Sequence, residues 1–183
     1  MGFADRYVHA LNATSLKDDA ESHQAEPLLA SALSAAEVGS DLGPLLHRVK
    51  YASTIERQSF AANPANLAQL LRLWIAEVTK RGRARKWMSE NTHWDASAAH
   101  KLYRTVAEAS LAHWLDSTCK CCNGTGVVLR RHCQSCAGSG TAQIDVAGCG
   151  GFVLERTKDM VGELHNIVIT HASRASAKLR QPR

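Results

Sequence analysis

Five of the chain's six cysteines fall within the segment CKCCNGTGVVLRRHCQSCAGSG, residues 119–140. It holds two copies of Cys-x-x-Cys-x-Gly-x-Gly. Cys119 and Cys122 precede Gly124 and Gly126, Cys133 and Cys136 precede Gly138 and Gly140, and ten residues separate the inner cysteines. Four thiolates delivered in two pairs suit one tetrahedral Zn²⁺, because each Cys-x-x-Cys turn brings two sulfurs to the same side of a tight loop. The glycines have a place in that geometry. After the second cysteine the chain must turn sharply at positive φ, and N–H groups of the turn can then point at the sulfurs. The spacing therefore predicts Cys119, Cys122, Cys133 and Cys136 as ligands of a single structural zinc, with an iron–sulfur cluster as the alternative occupant of four thiolates. Closed coordination leaves no position for water, so the metal is expected to staple the chain rather than catalyse. Cys121 and Cys149 complete no repeat and read as free thiols, and His132, beside a ligand, reads as a surface histidine.

Redox exchange is the other chemistry of paired thiols. It uses an exposed pair at a helix N-terminus, whereas here a helix is predicted to end before the first pair. No Ser/His/Asp order, phosphate-cradling glycine loop or paired-carboxylate motif accompanies the cysteines, and the nine histidines are scattered singly. A non-enzymatic protein without a small-molecule substrate is expected.

Charge is the second chemical signal. The chain carries 22 Lys and Arg against 17 Asp and Glu, a formal +5. Residues 1–60 hold five cations and eight anions, net −3, while residues 61–183 hold seventeen and nine, net +8. Such a skew favours a polyanionic partner. Lys80, Arg81, Arg83, Arg85 and Lys86 place five cations within seven residues just past a predicted helix. That density suits phosphate contact, and it equally suits a solvated helix exit whose cations complement the C-terminal dipole. Trp87 beside them could stack on a base or pack inward. Arg130 and Arg131, between the cysteine pairs, are the predicted tip of a hairpin presented to a partner, and Arg72, Lys101 and Arg104 extend the candidate surface.

No apolar run reaches the roughly 18 residues of a membrane span, and the N-terminal MGFADRYVHALNAT carries an acid where a signal peptide is basic and then apolar. A cytosolic protein with no membrane partner is expected.

Helices must position these groups, since the chain is rich in Ala and Leu and poor in aromatics. A short amphipathic helix is predicted over 3–13, then an acidic linker over 14–26, then a helix opening at Pro27 and ended by Gly39. Asp41 and Pro44 begin a stretch with Leu45, Leu46, Val49, Ala52 and Ile55 at helical spacing. Asn63 is the expected N-cap of the next helix, with Leu67, Leu70, Leu71, Trp74, Ile75 and Val78 along one face. After a polar loop through Asp95, a helix from about Ser97 to Asp116 is expected to present Leu102, Val106, Ala109 and His113 on one stripe, with Tyr103, Leu111, Trp114 and Leu115 broadening it. Gly148–Gly151 reads as a break before a last helix over 157–172, which buries Met160, Val161, Leu164, Ile167 and Val168 and precedes a frayed basic tail. The fold class is mostly α: a helical bundle with an inserted zinc-stabilised β-hairpin and a C-terminal helix. Segments 1–40, 41–117, 118–151 and 152–183 are the expected divisions.

The paired motif resembles two families. In the cysteine-rich region of DnaJ chaperones it occurs in four copies binding two zincs, next to a J-domain with a His-Pro-Asp motif; this chain has two copies and no His-Pro-Asp. Over about 120 residues the layout is similar to the late-gene antitermination protein Q family of lambdoid bacteriophages. The helix LLRLWIAEVTKRGRARKW is followed by a loop, the helix AAHKLYRTVAEASLAHW, the motifs CKCCNGTG and CQSCAGSG, and a closing helix ERTKDMVGELHNIV. Lambda-type members have a longer segment after the zinc module, reading as a helix-turn-helix, where only about a dozen residues separate Gly140 from the last helix here. The resemblance implies a phage or prophage transcription antitermination factor in the cytoplasm of the bacterial host. Such a factor binds DNA and bacterial RNA polymerase with its σ factor, and suppresses pausing and termination. The four cysteines carry over by motif. A zinc-dependent DnaJ-like chaperone or protein-interaction module, and a small DNA-binding repressor, are the alternative readings.

Overall fold

A computed structural model of the chain describes residues 42–51, 64–146 and 148–180. These form helices α1 (Leu42–Tyr51), α2 (Pro64–Ala84) and α3 (His93–Leu115), strands β1 (Val127–Val128) and β2 (Arg131–His132), and helix α4 (Gly151–Arg180). The architecture is mostly helical with one small antiparallel hairpin, as composition and motif spacing predict. The expected helices over 3–13 and 27–38, and Asp41, Ala52, Ile55 and Asn63, lie outside the described residues.

The described residues divide into two compact units: 42–51 and 64–70 with 164–180, and 71–146 with 148–163. In the first, α1 buries Leu42, Leu46, His47 and Val49, α2 contributes Leu70, and α4 contributes Leu164, Val168, His171 and Ala175. The His47 and His171 rings stand edge to face with centroids 6.1 Å apart. Burial, reinforced by His171, pushes the His47 imidazole down to about 4, and burial followed by Arg174 lowers His171 as well.

The second unit is built around large aromatics. Trp74 and Val78 of α2, Tyr103, Val106, Leu111 and Trp114 of α3, and Met160 of α4 are buried. The expected α3 face is corrected at its centre: Val106, Tyr103, Leu111 and Trp114 are buried as expected, but Leu102, Ala109 and His113 are only half-buried and Leu115 is exposed, and the inward face is completed by Ala99, Ala107 and Ser110. Two aromatics and a specific bond rotate it. The Trp74 Nε1–H donates to Ser110 Oγ at 3.0 Å, and Ser110 Oγ in turn donates to the Ala107 carbonyl at 3.2 Å, so a buried serine is fully used.

Three element boundaries also differ from expectation, each for a local reason. α3 begins at His93 because Thr92 and Asp95 form a reciprocal capping box: the Asp95 N–H donates to Thr92 Oγ1 and the Thr92 N–H to the Asp95 carboxylate. The α2 helix continues to Ala84, which places Lys80, Arg81 and Arg83 inside it rather than past it. Trp87 N–H then donates to Gly82 O and Lys86 N–H to Arg83 O, with Lys86 at φ +52, the double closure of a Schellman motif. Trp87 is thereby turned inward and buried. α4 spans 30 residues: it opens at Gly151, six residues before the expected start, and its buried stripe of Thr157, Met160, Leu164, Val168, His171 and Ala175 runs past residue 172.

Candidate metal centre

The Sγ atoms of Cys119, Cys122, Cys133 and Cys136 lie within 4.8 Å of one another, and all four residues are buried. Cys119 and Cys133 sulfurs are 3.9 Å apart, and Cys122 and Cys136 sulfurs 3.7 Å. A tetrahedral ion with metal–sulfur bonds of about 2.3 Å has sulfur–sulfur edges of about 3.8 Å. The four cysteines are thus close enough to hold a metal ion, and the donor set fits a closed, all-sulfur site.

The two motif copies build this cage as near-duplicates. Gly124 N–H donates to Cys119 O and Gly138 N–H to Cys133 O; Thr125 Oγ1 donates to Cys122 O and Ser139 Oγ to Cys136 O, each at 2.7 Å. Cys133 N–H donates to Gly126 O while Cys119 N–H donates to Gly140 O, so each copy closes on the other. Thr118 and Thr141 bridge the two ends. The second glycine of each motif shows why no larger residue serves. Gly126 and Gly140 both have positive φ, and a Cβ on either would run into the carbonyl oxygen of Gly138 or Gly124.

The same two glycines aim N–H groups at sulfur, Gly126 at Cys122 Sγ (3.2 Å) and Gly140 at Cys136 Sγ (3.3 Å). Four thiolates around a divalent ion leave an excess of negative charge, which such N–H groups offset. Burial pushes the Cys133 thiol up to about 12. Burial also acts to raise Cys136, but the Gly140 N–H and the neighbouring thiols outweigh it and bring Cys136 down to about 7. Without a cation these sulfurs cannot all be thiolates, and a cation is what makes that state favourable. Cys121 and Cys149 are exposed and outside the cluster, and His132 is an exposed strand residue whose ring lies over Gly138.

The hairpin rising from the cage pairs Val127 with His132 and Val128 with Arg131. Its tip is therefore Leu129–Arg130 rather than the expected Arg130–Arg131, with Arg131 on β2. Leu129 and Arg130 both have positive φ, +48 and +64. Leu129 is 93% exposed, and Val127, Val128, Arg130 and Arg131 are exposed as well.

The second predicted site, Lys80 to Lys86, is largely paired within its own unit. Arg81 meets Glu77 at 2.7 Å and Glu163 at 2.5 Å, Arg85 also binds Glu163, and Arg83 meets Glu90 at 2.9 Å. Glu90 further accepts from the Tyr103 hydroxyl at 3.0 Å. Its carboxyl is lowered by the Arg83 hydrogen bond, and Arg83 is raised by the same bond. Lys80 stays 79% exposed, 3.9 Å from Glu77, and Lys86 is exposed. An open groove of about 720 Å³ on α2 and α3 is lined by Arg72, Thr79, Lys80, Arg83 and His100. Glu77 was legible as a partner from its i, i+4 spacing to Arg81; Glu90 and Glu163 carried no such signal.

No helix among the described residues is long and apolar enough to cross a membrane. No protein-family model, curated protein or solved structure matches the chain.

Proposed function

We propose that the chain is a non-enzymatic, zinc-dependent transcription antitermination factor of phage or prophage origin, acting in the cytoplasm of the bacterial host. It engages DNA and bacterial RNA polymerase with its σ factor. One Zn²⁺ on Cys119, Cys122, Cys133 and Cys136 has a structural role, since an all-sulfur tetrahedral set is zinc's usual structural site and leaves no open position. The observation that carries the proposal is the closed, buried four-sulfur cluster whose surrounding chain projects an exposed, cationic hairpin. Such a centre positions a surface. The sequence order of helix with basic exit, helix, cysteine module and closing helix, which resembles the Q family, supplies the kind of partner. Phosphate contact falls to cations that point outward, Lys80, Lys86 and Arg72, more than to Arg81 and Arg85, while Arg130 and Arg131 on the hairpin face the polymerase.

The test is retention of bacterial RNA polymerase holoenzyme on the immobilised, zinc-loaded protein at moderate salt. Stoichiometric retention by the wild type, lost in Cys122→Ser, is expected, followed by terminator readthrough in transcription. A folded, zinc-loaded protein that retains no polymerase overturns the proposal. One observation favours a second reading: Val127, Val128 and Leu129 expose apolar surface, as a zinc-dependent protein-interaction module related to the DnaJ type would. Suppression of aggregation of an unfolded client, without polymerase retention, would select it.

A further inference from the structure

We propose that the tip of the hairpin, Leu129 with Val127, Val128, Arg130 and Arg131, is a protein-docking element that seats Leu129 in an apolar pocket rimmed by carboxylates on the partner. This inference rests on the function proposed above and names the chemistry of the surface its protein partner offers.

The backbone supplies the first argument. A two-residue hairpin turn with positive φ at both positions favours Asn-Gly or similar pairs, and a bulky residue there is held against its backbone preference. Leu129 occupies the first such position at φ +48 with 93% of its surface in solvent. Neither its conformation nor its exposure benefits the hairpin itself. Val127 and Val128 extend the apolar surface, at 48% and 36% exposure, and both strands are exposed at every position.

Charge supplies the second. Residues 117–144 contain Lys120, Arg130 and Arg131 and no Asp or Glu. Among the described residues neither arginine meets a carboxylate, unlike Arg81, Arg83 and Arg85. Cations around an apolar projection are complementary to an acidic rim around an apolar pocket.

The side-chain types choose among occupants. Nucleic acid is gripped by aromatic stacking and planar donors, which branched aliphatics at the apex do not provide. A bilayer shares the cationic and apolar chemistry, but one leucine at the apex is far less anchor than stable membrane attachment takes. A single projecting side chain does suit a protein pocket, where one desolvated anchor can dominate binding.

The experiment measures polymerase holoenzyme retention for the wild type, Leu129→Asn, Leu129→Met and the double variant Arg130→Glu/Arg131→Glu, each verified for zinc content. Asparagine tolerates the left-handed turn, so Leu129→Asn tests the anchor without disturbing the fold. About tenfold weaker retention is expected for Leu129→Asn and for the double variant, with Leu129→Met close to the wild type. Wild-type and Leu129→Asn proteins retained equally would overturn the tip assignment and leave the proposed function standing. A wild type that is not retained overturns that function and this occupant together. Tip-dependent binding to phosphatidylglycerol vesicles or to a duplex oligonucleotide, with polymerase retention unaffected by the variants, would overturn a protein as the occupant.

Discussion

Arg81 and Arg85 on one side, Arg130 and Arg131 on the other, read alike in the sequence and differ in the fold. The first pair shares Glu163, with Glu77 adding a second contact to Arg81. The second pair stands on a hairpin rising from the four-cysteine cluster, with no acid between residues 117 and 144. Cation density therefore says little about outward charge until the carboxylates are placed, and Glu163 lies 78 residues from Arg85. A hairpin closed by sulfur has no such distant supply, so its charge stays available to a partner.

The largest effect should come from the metal. Chelation, or Cys136→Ser, removes binding energy of the order of 10 kcal/mol from a module with no apolar core beyond its own cysteines. Loss of zinc and of hydrogen-exchange protection at the Gly126 and Gly140 amides is expected, with most of the helical circular dichroism retained because α2, α3 and α4 bury their own apolar faces. Protection unchanged after metal removal would break the contrast between a sulfur-held module and self-sufficient helices.

Acid should act on the helices by a separate route. His47 takes up a proton near 6.5 when unfolded and only near about 4 when folded. The unfolded state thus binds more protons in that window, and stability falls as pH drops from about 6.5 to about 4, by as much as ~3 kcal/mol. Thermal melts at stepped pH should show that loss above the pH at which zinc is released, and His47→Gln should flatten it. A flat wild-type profile would mean the buried pair is already accommodated when charged.

Next in size is Glu163→Gln, which leaves Arg81 and Arg85 without their shared carboxylate. Because Arg81 and Glu163 are half-buried side chains, a loss of about 1 kcal/mol is expected in denaturant unfolding. The same change sharpens the comparison between the two basic regions. Freed arginines should tighten binding to duplex DNA at low salt and steepen its salt dependence by about one or two phosphate contacts. A Glu163→Gln protein with unaltered DNA binding would confine nucleic-acid contact to other cations.

What could be read in advance follows the range of the forces involved. The cage was legible to the individual glycine because its ligands, turns and N–H donors all lie within 22 residues. Helix identity was legible from apolar spacing; α4 was underestimated at its C-terminal end because its stripe passes through His171 and Ala175, residues that carry little hydropathy signal, and at its N-terminal end because Gly151 reads as a break. The rotation of α3 depended on a bond from Trp74 to Ser110, 36 residues apart, and no periodicity encodes such a partner. The pairing of the arginine cluster was unreadable for the same reason: Glu90 and Glu163 arrive through the fold, not through spacing.

The smallest expected effect bears most directly on what the hairpin is for. Replacing Leu129 by Asn relieves a bulky side chain at φ +48 and removes an apolar group from water. The zinc-loaded hairpin should become more stable by a few tenths to about 1 kcal/mol, seen as slower amide exchange at Cys133, whose N–H donates to Gly126 O within the module. A gain in stability alongside a loss of partner retention would place Leu129 where local structure yields to recognition. A loss of stability would instead show that Leu129 supports the hairpin from within, and the arginines beside it would then be the only outward feature of the tip.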